Sequence, residues 1–173
     1  LKLAFMGDAR NNVANSLMVA CSKLGLHFTA CGPRELMPKG ELVARCRGIA
    51  QETGATVALT DDVEEAAAGA HVLYTDIWVS MGEPDGLWGE RIELLEPYRV
   101  TSQVMAKANP EAIFMHCLPS FHDANTAIGA EVAEKFGVSE MEVSHEVFTS
   151  AASKVMDEAE NRMHTIKAVM YAT

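Results

Sequence analysis

Residues 3–25 read LAFMGDARNNVANSLMVACSKLG, and this stretch predicts a strand, a polar loop and a helix in that order. The apolar run Leu3–Met6 has the length of a buried strand, and the polar loop Gly7–Asn12 follows it directly. Apolar residues then recur at helical spacing from about Val13 to Leu24, and Gly25 suits the end of that helix. This order of elements is typical of sheets that helices cover on both faces.

The same alternation of strand-length apolar runs and helical patterns continues along the chain. Further strands are predicted at residues 26–30, 55–59, 72–75 and 112–115, and helices at residues 41–52, 62–68, 126–136 and 153–172. Five strands separated by helices predict an α/β fold with a doubly wound, mainly parallel five-stranded sheet flanked by helices and a long C-terminal helix. We expect residues 1–173 to form one domain.

Composition excludes several classes of protein. The chain has 173 residues, 49% of them hydrophobic, so it can bury a sizeable core. Its formal net charge of −10 argues against binding of nucleic acid, which requires a basic face. The sequence contains no apolar run near the roughly 20 residues that a membrane-spanning helix needs. We therefore expect neither a nucleic acid nor a membrane as partner.

The four cysteines have no CxxC spacing and no regular pattern. In a chain of this size they predict reduced thiols in a cytoplasmic protein rather than a set of disulfides. We expect no metal site, because Cys117 is the only cysteine with histidines close to it in the sequence.

Two unusual polar phrases follow predicted strands. His116-Cys117-Leu118-Pro119 comes after residues 112–115, and Asp76–Gly82 comes after residues 72–75. Carboxyl ends of parallel strands are the usual place for reacting groups in open α/β sheets. The two phrases therefore predict one crevice built from both.

The segment Asp76–Gly82 allows two interpretations. Asp76 is placed to accept hydrogen bonds from an amine and Ser80 to supply a second contact. Gly82, with Gly86 and Gly89 after it, would let the loop close as a lid. Alternatively, the segment is an exposed turn in which Trp78 and Met81 pack back onto the protein.

Cys117 allows three interpretations. It is a small buried hydrophobe, a nucleophile with His116 and His122 nearby in sequence, or a polar contact for an incoming amine. Neighbouring side chains on an extended chain point to opposite sides, so His116 is a poor candidate to activate Cys117.

Two further polar segments also leave alternatives open. Arg162 either forms an ion pair with Glu158 at i, i+4 or binds a phosphate or carboxylate with its guanidinium. The loop Gly7–Asn12 either binds phosphate or is a polar turn whose Asp8 and Asn11 satisfy loop backbone. Since it lacks a GxGxxG pattern, its position alone does not indicate a dinucleotide site.

Taken together, four phrases in order resemble the ornithine carbamoyltransferases, specifically their C-terminal, ornithine-binding domain. The phrases are residues 7–12 (GDARNN), 76–83 (DIWVSMGE), 116–119 (HCLP) and 160–164 (ENRMH). Aspartate-specific relatives carry His-Pro-Leu-Pro instead of His116–Pro119 and lack the loop Ser80–Gly82, and putrescine-using relatives also depart from that loop. Both differences favour ornithine.

The resemblance implies transfer of a carbamoyl group from carbamoyl phosphate to the side-chain amine of L-ornithine, without a cofactor. It assigns catalytic roles to Cys117 and Asp76. It implies an ornithine site that comprises Asn12, Asp76, Ser80 and Met81. It implies contacts to carbamoyl phosphate from Cys117, Leu118 and Arg162.

Two motifs of that family, Ser-Thr-Arg-Thr-Arg and His-Pro-x-Gln, do not occur in this chain. They belong to the family's N-terminal domain, so we expect the chain to be a piece of a longer protein and inactive alone. The family also implies a homotrimer in the full-length protein. Two alternatives remain open, a stand-alone amino-acid-binding module without catalysis and a carbamoyltransferase for another amine.

Overall fold

The computed structural model describes residues 1–80 and 82–173 and contains one five-stranded sheet. The strands are β1 (Lys2–Met6), β2 (His27–Cys31), β3 (Val57–Thr60), β4 (Val72–Thr75) and β5 (Ile113–His116). Their order across the sheet is β3-β2-β1-β4-β5, and every neighbouring pair is parallel. The doubly wound fold is thus confirmed, and the sheet is fully parallel rather than mainly parallel.

The strand order creates a crevice at the carboxyl edge of the sheet. From β1 the chain builds outward to β2 and β3 on one side and then returns to add β4 and β5 on the other. The loops after β1 and β4 therefore diverge at the centre of the sheet, which is where open α/β sheets bind ligands. The polar loops that follow β1, β4 and β5 all begin at this edge.

Helices connect the strands and cover both faces of the sheet. They are α1 (Asn12–Leu24), α2 (Gly40–Thr53), α3 (Val63–Ala67), α4 (Trp88–Leu95), α5 (Ser102–Met105), α6 (Ala127–Phe136), α7 (His145–Phe148) and α8 (Val155–Ala172). The sequence predicted α1, α2, α3, α6 and α8 to within about two residues at each end. It did not predict α4, α5 or α7.

The clearest difference between prediction and structure concerns α4. The sequence interpretation treated Gly86 and Gly89 as loop glycines, but Gly89 lies inside this helix. Trp88, Ile92 and Leu95 recur at helical spacing and are all buried, in a cluster beneath the loop that follows β4. Burial of these side chains outweighs the roughly 1 kcal/mol that a glycine costs inside a helix.

Side-chain and glycine caps lie at the ends of several helices. Asn11 caps α1 by accepting from the Ala14 N–H at 2.8 Å, and Gly25 ends it with a left-handed φ of 74°. Asp62 accepts from the Glu65 N–H at 3.0 Å at the start of α3. These local signals fixed the helix ends because each cap satisfies backbone groups that have no partner within the helix.

Two apolar layers pack against the sheet. Phe5, on one face of β1, belongs to a cluster formed with α1 and α2, whereas Ala4 and Met6 belong to a cluster on the opposite face. Both faces of the strand are therefore buried, as expected of a parallel sheet. All four cysteines are free, which agrees with the predicted reduced thiols.

Helix α8 leaves the core after its first turn. Val155 is buried, but the side chains beyond it are largely exposed, among them Met163 at 57% and Met170 at 74%. Within the described ranges, no helix is both long enough and apolar enough to cross a membrane.

Candidate active site at the carboxyl edge of the sheet

Asp76 lies at the centre of the crevice, directly after β4. One oxygen of its carboxyl group accepts from the Ile77 N–H at 2.8 Å, and the other accepts from the Asn11 side-chain amide at 3.2 Å. Asn11 also caps α1, so it joins the start of this helix to the end of β4. Burial raises the pKa of Asp76, whereas the Ile77 N–H and the charge of His116 act in the opposite direction. A buried carboxyl with a raised pKa is a stronger proton acceptor than an ordinary aspartate.

Cys117 lies one residue beyond β5, at the edge of a cavity of about 430 Å³ that Leu118 and Arg162 also line. Its thiol is partly buried, and its Sγ lies 3.9 Å from the Leu118 carbonyl oxygen. Burial raises the pKa of Cys117, the carboxyls of Asp76 and Glu158 raise it further, and Arg162 lowers it. The thiol is therefore held in its neutral form, which disfavours the nucleophile interpretation.

His116 is almost fully buried, and its ring lies near Phe114 of one apolar cluster, whereas Cys117 packs against the cluster on the other face of the sheet. Its Nε2 lies 3.0 Å from Oε1 of Glu142, and its Nδ1 faces the main-chain carbonyl of Cys117. The two side chains therefore point to different sides, as the extended geometry predicted. Through its two ring nitrogens His116 joins Glu142 to the main chain of Cys117, so it is suited to hold the Cys117 backbone in place.

Glu142 was not among the predicted site residues, although it organises the loop after β5. Its Oε1 accepts from His116, from the Ser120 hydroxyl at 2.9 Å and from the Phe121 N–H at 2.6 Å. The side chain is fully buried. The sequence did not signal this burial, because Glu142 alternates with Met141 and Val143 in a pattern that favours an exposed polar side chain.

Arg91, on α4, is the second residue that the sequence interpretation missed. Its guanidinium is buried and contacts Asp8 at 3.0 Å and Glu83 at 2.8 Å. The other oxygen of Glu83 accepts from the Ser80 N–H at 2.8 Å. Arg91 thus ties the loop after β4 to the loop after β1.

The loop after β4 combines features of both sequence interpretations. Trp78 is buried beneath it, as the packing alternative predicted, but the segment is not an exposed turn, since Ile77 and Val79 are buried as well. The predicted closure of this loop as a lid stays a prediction. Met81, predicted to contact ornithine, lies outside the described residues.

The remaining predicted residues occupy three different places. Asn12 is exposed in the first turn of α1, next to the residue that holds Asp76. Ser80 lines a separate cavity of about 480 Å³, together with Pro119. Arg162 lies on α8 in the cavity of Cys117 and Leu118, so the structure brings these three together and leaves Ser80 in the neighbouring cavity.

The predicted ion pair between Arg162 and Glu158 is not formed in the part of the chain that the structure describes. Glu158 instead accepts from the Tyr74 hydroxyl at 2.5 Å, which ties α8 to β4. Burial raises the pKa of Glu158 and of Tyr74. Arg162 is exposed and lines the cavity, and among the described residues its guanidinium forms no ion pair.

The model of the aspartate/ornithine carbamoyltransferase family, Asp/Orn-binding domain, matches residues 1–173. The chain belongs to this family. Its resemblance to the ornithine-binding domain of that family, stated from the four polar phrases, is thereby confirmed.

The names of curated relatives are consistent with membership of this family. The catabolic ornithine carbamoyltransferase of Treponema denticola is 64% identical over 173 residues, which is 100% of this chain and 51% of that protein. An ornithine carbamoyltransferase of Staphylococcus aureus strain Newman is 55% identical over 174 residues, which is 100% of this chain and 52% of that protein. The chain spans about half the length of the curated relatives it matches.

Solved structures of carbamoyltransferases share the fold. The ornithine carbamoyltransferase of Gloeobacter violaceus superposes with a TM-score of 0.80 at 38% identity, covering 98% of this chain and 50% of that one. The enzyme of Pyrococcus furiosus superposes with a TM-score of 0.82 at 35% identity, covering 98% and 48%. The five parallel strands and flanking helices are therefore the architecture of this family's binding domain.

Proposed function

We propose that the chain is the ornithine-binding domain of an ornithine carbamoyltransferase. In the complete protein it transfers the carbamoyl group of carbamoyl phosphate to the side-chain amine of L-ornithine, giving L-citrulline and phosphate. The observation that carries this proposal is the grouping of Asp76, Cys117 and Arg162 at one edge of the sheet, in a chain whose named relatives are ornithine carbamoyltransferases.

Asp76 is the proposed partner of the reacting amine. This amine is protonated in water, with a pKa near that of lysine at about 10.4, so it must lose a proton before it attacks. The carboxylate of Asp76 attracts the ammonium group, and its raised pKa makes it a better acceptor for the released proton. The new C–N bond then forms at the carbonyl carbon, and the C–O bond to phosphate breaks.

Cys117 is the proposed contact that orients the amine beside the carbamoyl group. Because its raised pKa keeps the thiol neutral, its role is to position the nitrogen and no covalent enzyme intermediate is needed. Leu118 lines the same cavity and would pack beside the carbamoyl group.

Arg162 is the proposed contact of this chain to carbamoyl phosphate. A guanidinium binds phosphate oxygens in a planar, bidentate arrangement and stabilises the charge that develops as phosphate leaves. The rest of the phosphate site would come from the domain that corresponds to the other half of the relatives. The amino-acid end of ornithine would be bound by Asn12, Ser80 and Met81.

We expect the full-length protein to be a cytoplasmic homotrimer. Each subunit would contain this chain together with the part that corresponds to the other half of the relatives. The 173-residue chain alone is expected to form no citrulline, because Arg162 by itself does not make a phosphate site. Detectable citrulline from the purified chain, given both substrates, would contradict the proposed division of the active site between two domains.

Substitution of Asp76 and Cys117 tests the proposal in a protein that carries this chain with the other half. Asp76→Asn is expected to lower kcat by about 100-fold or more, since it removes the proton acceptor. Cys117→Ala is expected to lower kcat by about tenfold, the effect of one lost polar contact to the amine. Citrulline formation measures both, and Cys21→Ala, remote on α1, is the control for loss of a thiol.

Substrate choice separates this proposal from its alternatives. Turnover with L-ornithine that exceeds turnover with putrescine or L-aspartate by at least about tenfold is expected. Unchanged turnover in Asp76→Asn, or a preference for another amine, would refute the assignment.

A further inference from the structure

Three side chains outside the proposed active site converge at the protein surface. Nδ1 of His122 lies 3.1 Å from Nδ1 of His145, and the two nitrogens lie 3.6 and 3.7 Å from the same carboxylate oxygen, Oδ2 of Asp123. The sequence interpretation expected no metal site. The fold nevertheless brings His145, on α7, to a loop 23 residues before it.

These distances match the spacing of ligands around one transition-metal ion. A point about 2.0 Å from all three atoms exists close to the plane that they define. Zinc–nitrogen and zinc–oxygen bonds are about 2.0–2.2 Å long, so an ion slightly out of that plane reaches all three. The fourth side of the ion would remain accessible to water, because the His145 side chain is 52% exposed.

Contacts outside the cluster hold two of the three side chains in position. The ring of His122 stacks on Phe148, with 3.7 Å between centroids and 14° between planes. Both oxygens of Asp123 accept from Asn125, at 2.9 Å from its N–H and 2.8 Å from its side-chain amide. The hydrogen bonds to Asp123 are of the kind that orients the ligands of metal sites, and the stacking restricts the ring of His122.

We propose that His122, Asp123 and His145 form a binding site for one divalent transition-metal ion of the zinc, cobalt or nickel type. Two imidazoles and one carboxylate suit these ions, whereas calcium and magnesium require mainly oxygen ligands. Each histidine binds through Nδ1 and carries its proton on Nε2. The hydrogen bond that otherwise joins the two Nδ1 atoms is replaced by the metal, with no net loss of a proton.

The site would cross-link two segments that Glu142 already joins. The Phe121 N–H donates to Glu142 at 2.6 Å. Phe121 is one residue before His122, and Glu142 is three residues before His145. A bound ion is therefore expected to stabilise the loop that continues from Cys117. This stabilisation does not depend on the proposed transfer reaction.

Titration of the chelator-treated 173-residue protein with Zn²⁺ and with Co²⁺ tests the proposal. We expect one equivalent to bind, a rise in Tm, and a cobalt absorption spectrum of a nitrogen and oxygen site without a thiolate band. His145→Ala and Asp123→Asn are each expected to weaken binding by about tenfold or more. Circular dichroism verifies that each variant is folded.

Two control variants make the outcome decisive. His164→Ala removes an exposed histidine on α8 that lies 3.6 Å from Glu160, and Cys117→Ala removes the partly buried thiol. Both are expected to keep full affinity. The proposal is overturned if neither metal binds, if His145→Ala and Asp123→Asn bind as tightly as the parent protein, or if Cys117→Ala abolishes binding.

Discussion

Glu142 illustrates how much one buried residue contributes to the site. Its Oε1 accepts three hydrogen bonds, from His116, Ser120 and Phe121, and these hold the loop that carries Cys117. Burial alone would raise the pKa of Glu142, but the hydrogen bond and charge of His116 and the Phe121 N–H outweigh it and lower the pKa. The folded protein therefore stabilises the charged carboxylate.

The lowered pKa of Glu142 makes part of the stability dependent on pH. Because the folded-state pKa lies below the unfolded value, the carboxylate contributes stability above about pH 4.3, and this contribution disappears as the pH falls through the folded value. Glu142→Gln is expected to lower the free energy of unfolding by about 1.5–3 kcal/mol near neutral pH. The difference from the parent protein should shrink in acid.

Urea unfolding at a series of pH values measures this difference. Glu134→Gln, at an exposed position on α6, controls for the loss of one negative charge. An equal loss of stability at neutral and acidic pH would mean that the carboxylate charge of Glu142 is not what the protein stabilises.

Among the secondary-structure elements, α4 links two loops of the crevice. Its Arg91 joins Asp8 after β1 to Glu83 after β4 through buried charges. These loops are separated by more than 70 residues in the sequence, but they follow the neighbouring strands β1 and β4, and Asn11 and Asp76 join them as well. The helix therefore adds a buried ionic link between the two central loops.

Loss of Arg91 is expected to destabilise the protein and loosen these loops. Arg91→Ala leaves the carboxylate of Asp8 buried, with Arg10 at 3.7 Å as a partly exposed partner, so the free energy of unfolding should fall by about 3 kcal/mol. Arg34→Ala breaks an exposed pair of the same length with Asp61 and should cost at most about 1 kcal/mol. Chemical denaturation of both variants measures this contrast, and equal costs would contradict it.

At the scale of the whole molecule, helix α8 carries an apolar face that is largely exposed. Met163, Ile166, Val169 and Met170 recur at helical spacing and are 49–74% exposed. In the protein that we propose, the other half of the relatives' length would cover this face. Burial of these four side chains would hold the two halves in a fixed relative position across the active site.

Substitutions on this face are expected to act only in the longer protein. Ile166→Ser with Met170→Ser should change the free energy of unfolding of the 173-residue chain by no more than about 0.5 kcal/mol, since both side chains are exposed. In the longer protein the pair should lower both Tm and citrulline formation. Thermal unfolding of both forms measures this, with Lys167→Ala as the control, and an unchanged longer protein would exclude α8 from the contact between the halves.

Local patterns predicted much of the fold. Apolar runs and helical spacing identified all five strands and the longer helices, and Gly25 marked the end of α1. Asp76 and Cys117 were predicted to share one crevice because parallel strands end at a common edge. These features depend on residues near in sequence, or on rules that hold for every parallel sheet.

The polar networks could not be predicted in the same way. Arg91 meets Asp8 across 83 residues, His116 meets Glu142 across 26, and His122 meets His145 across 23. Periodicity indicates which side of an element is buried, but it does not indicate which distant side chain lies opposite. That choice belongs to the packing of the loops, because a buried charge is stable only where the complete fold supplies its partner.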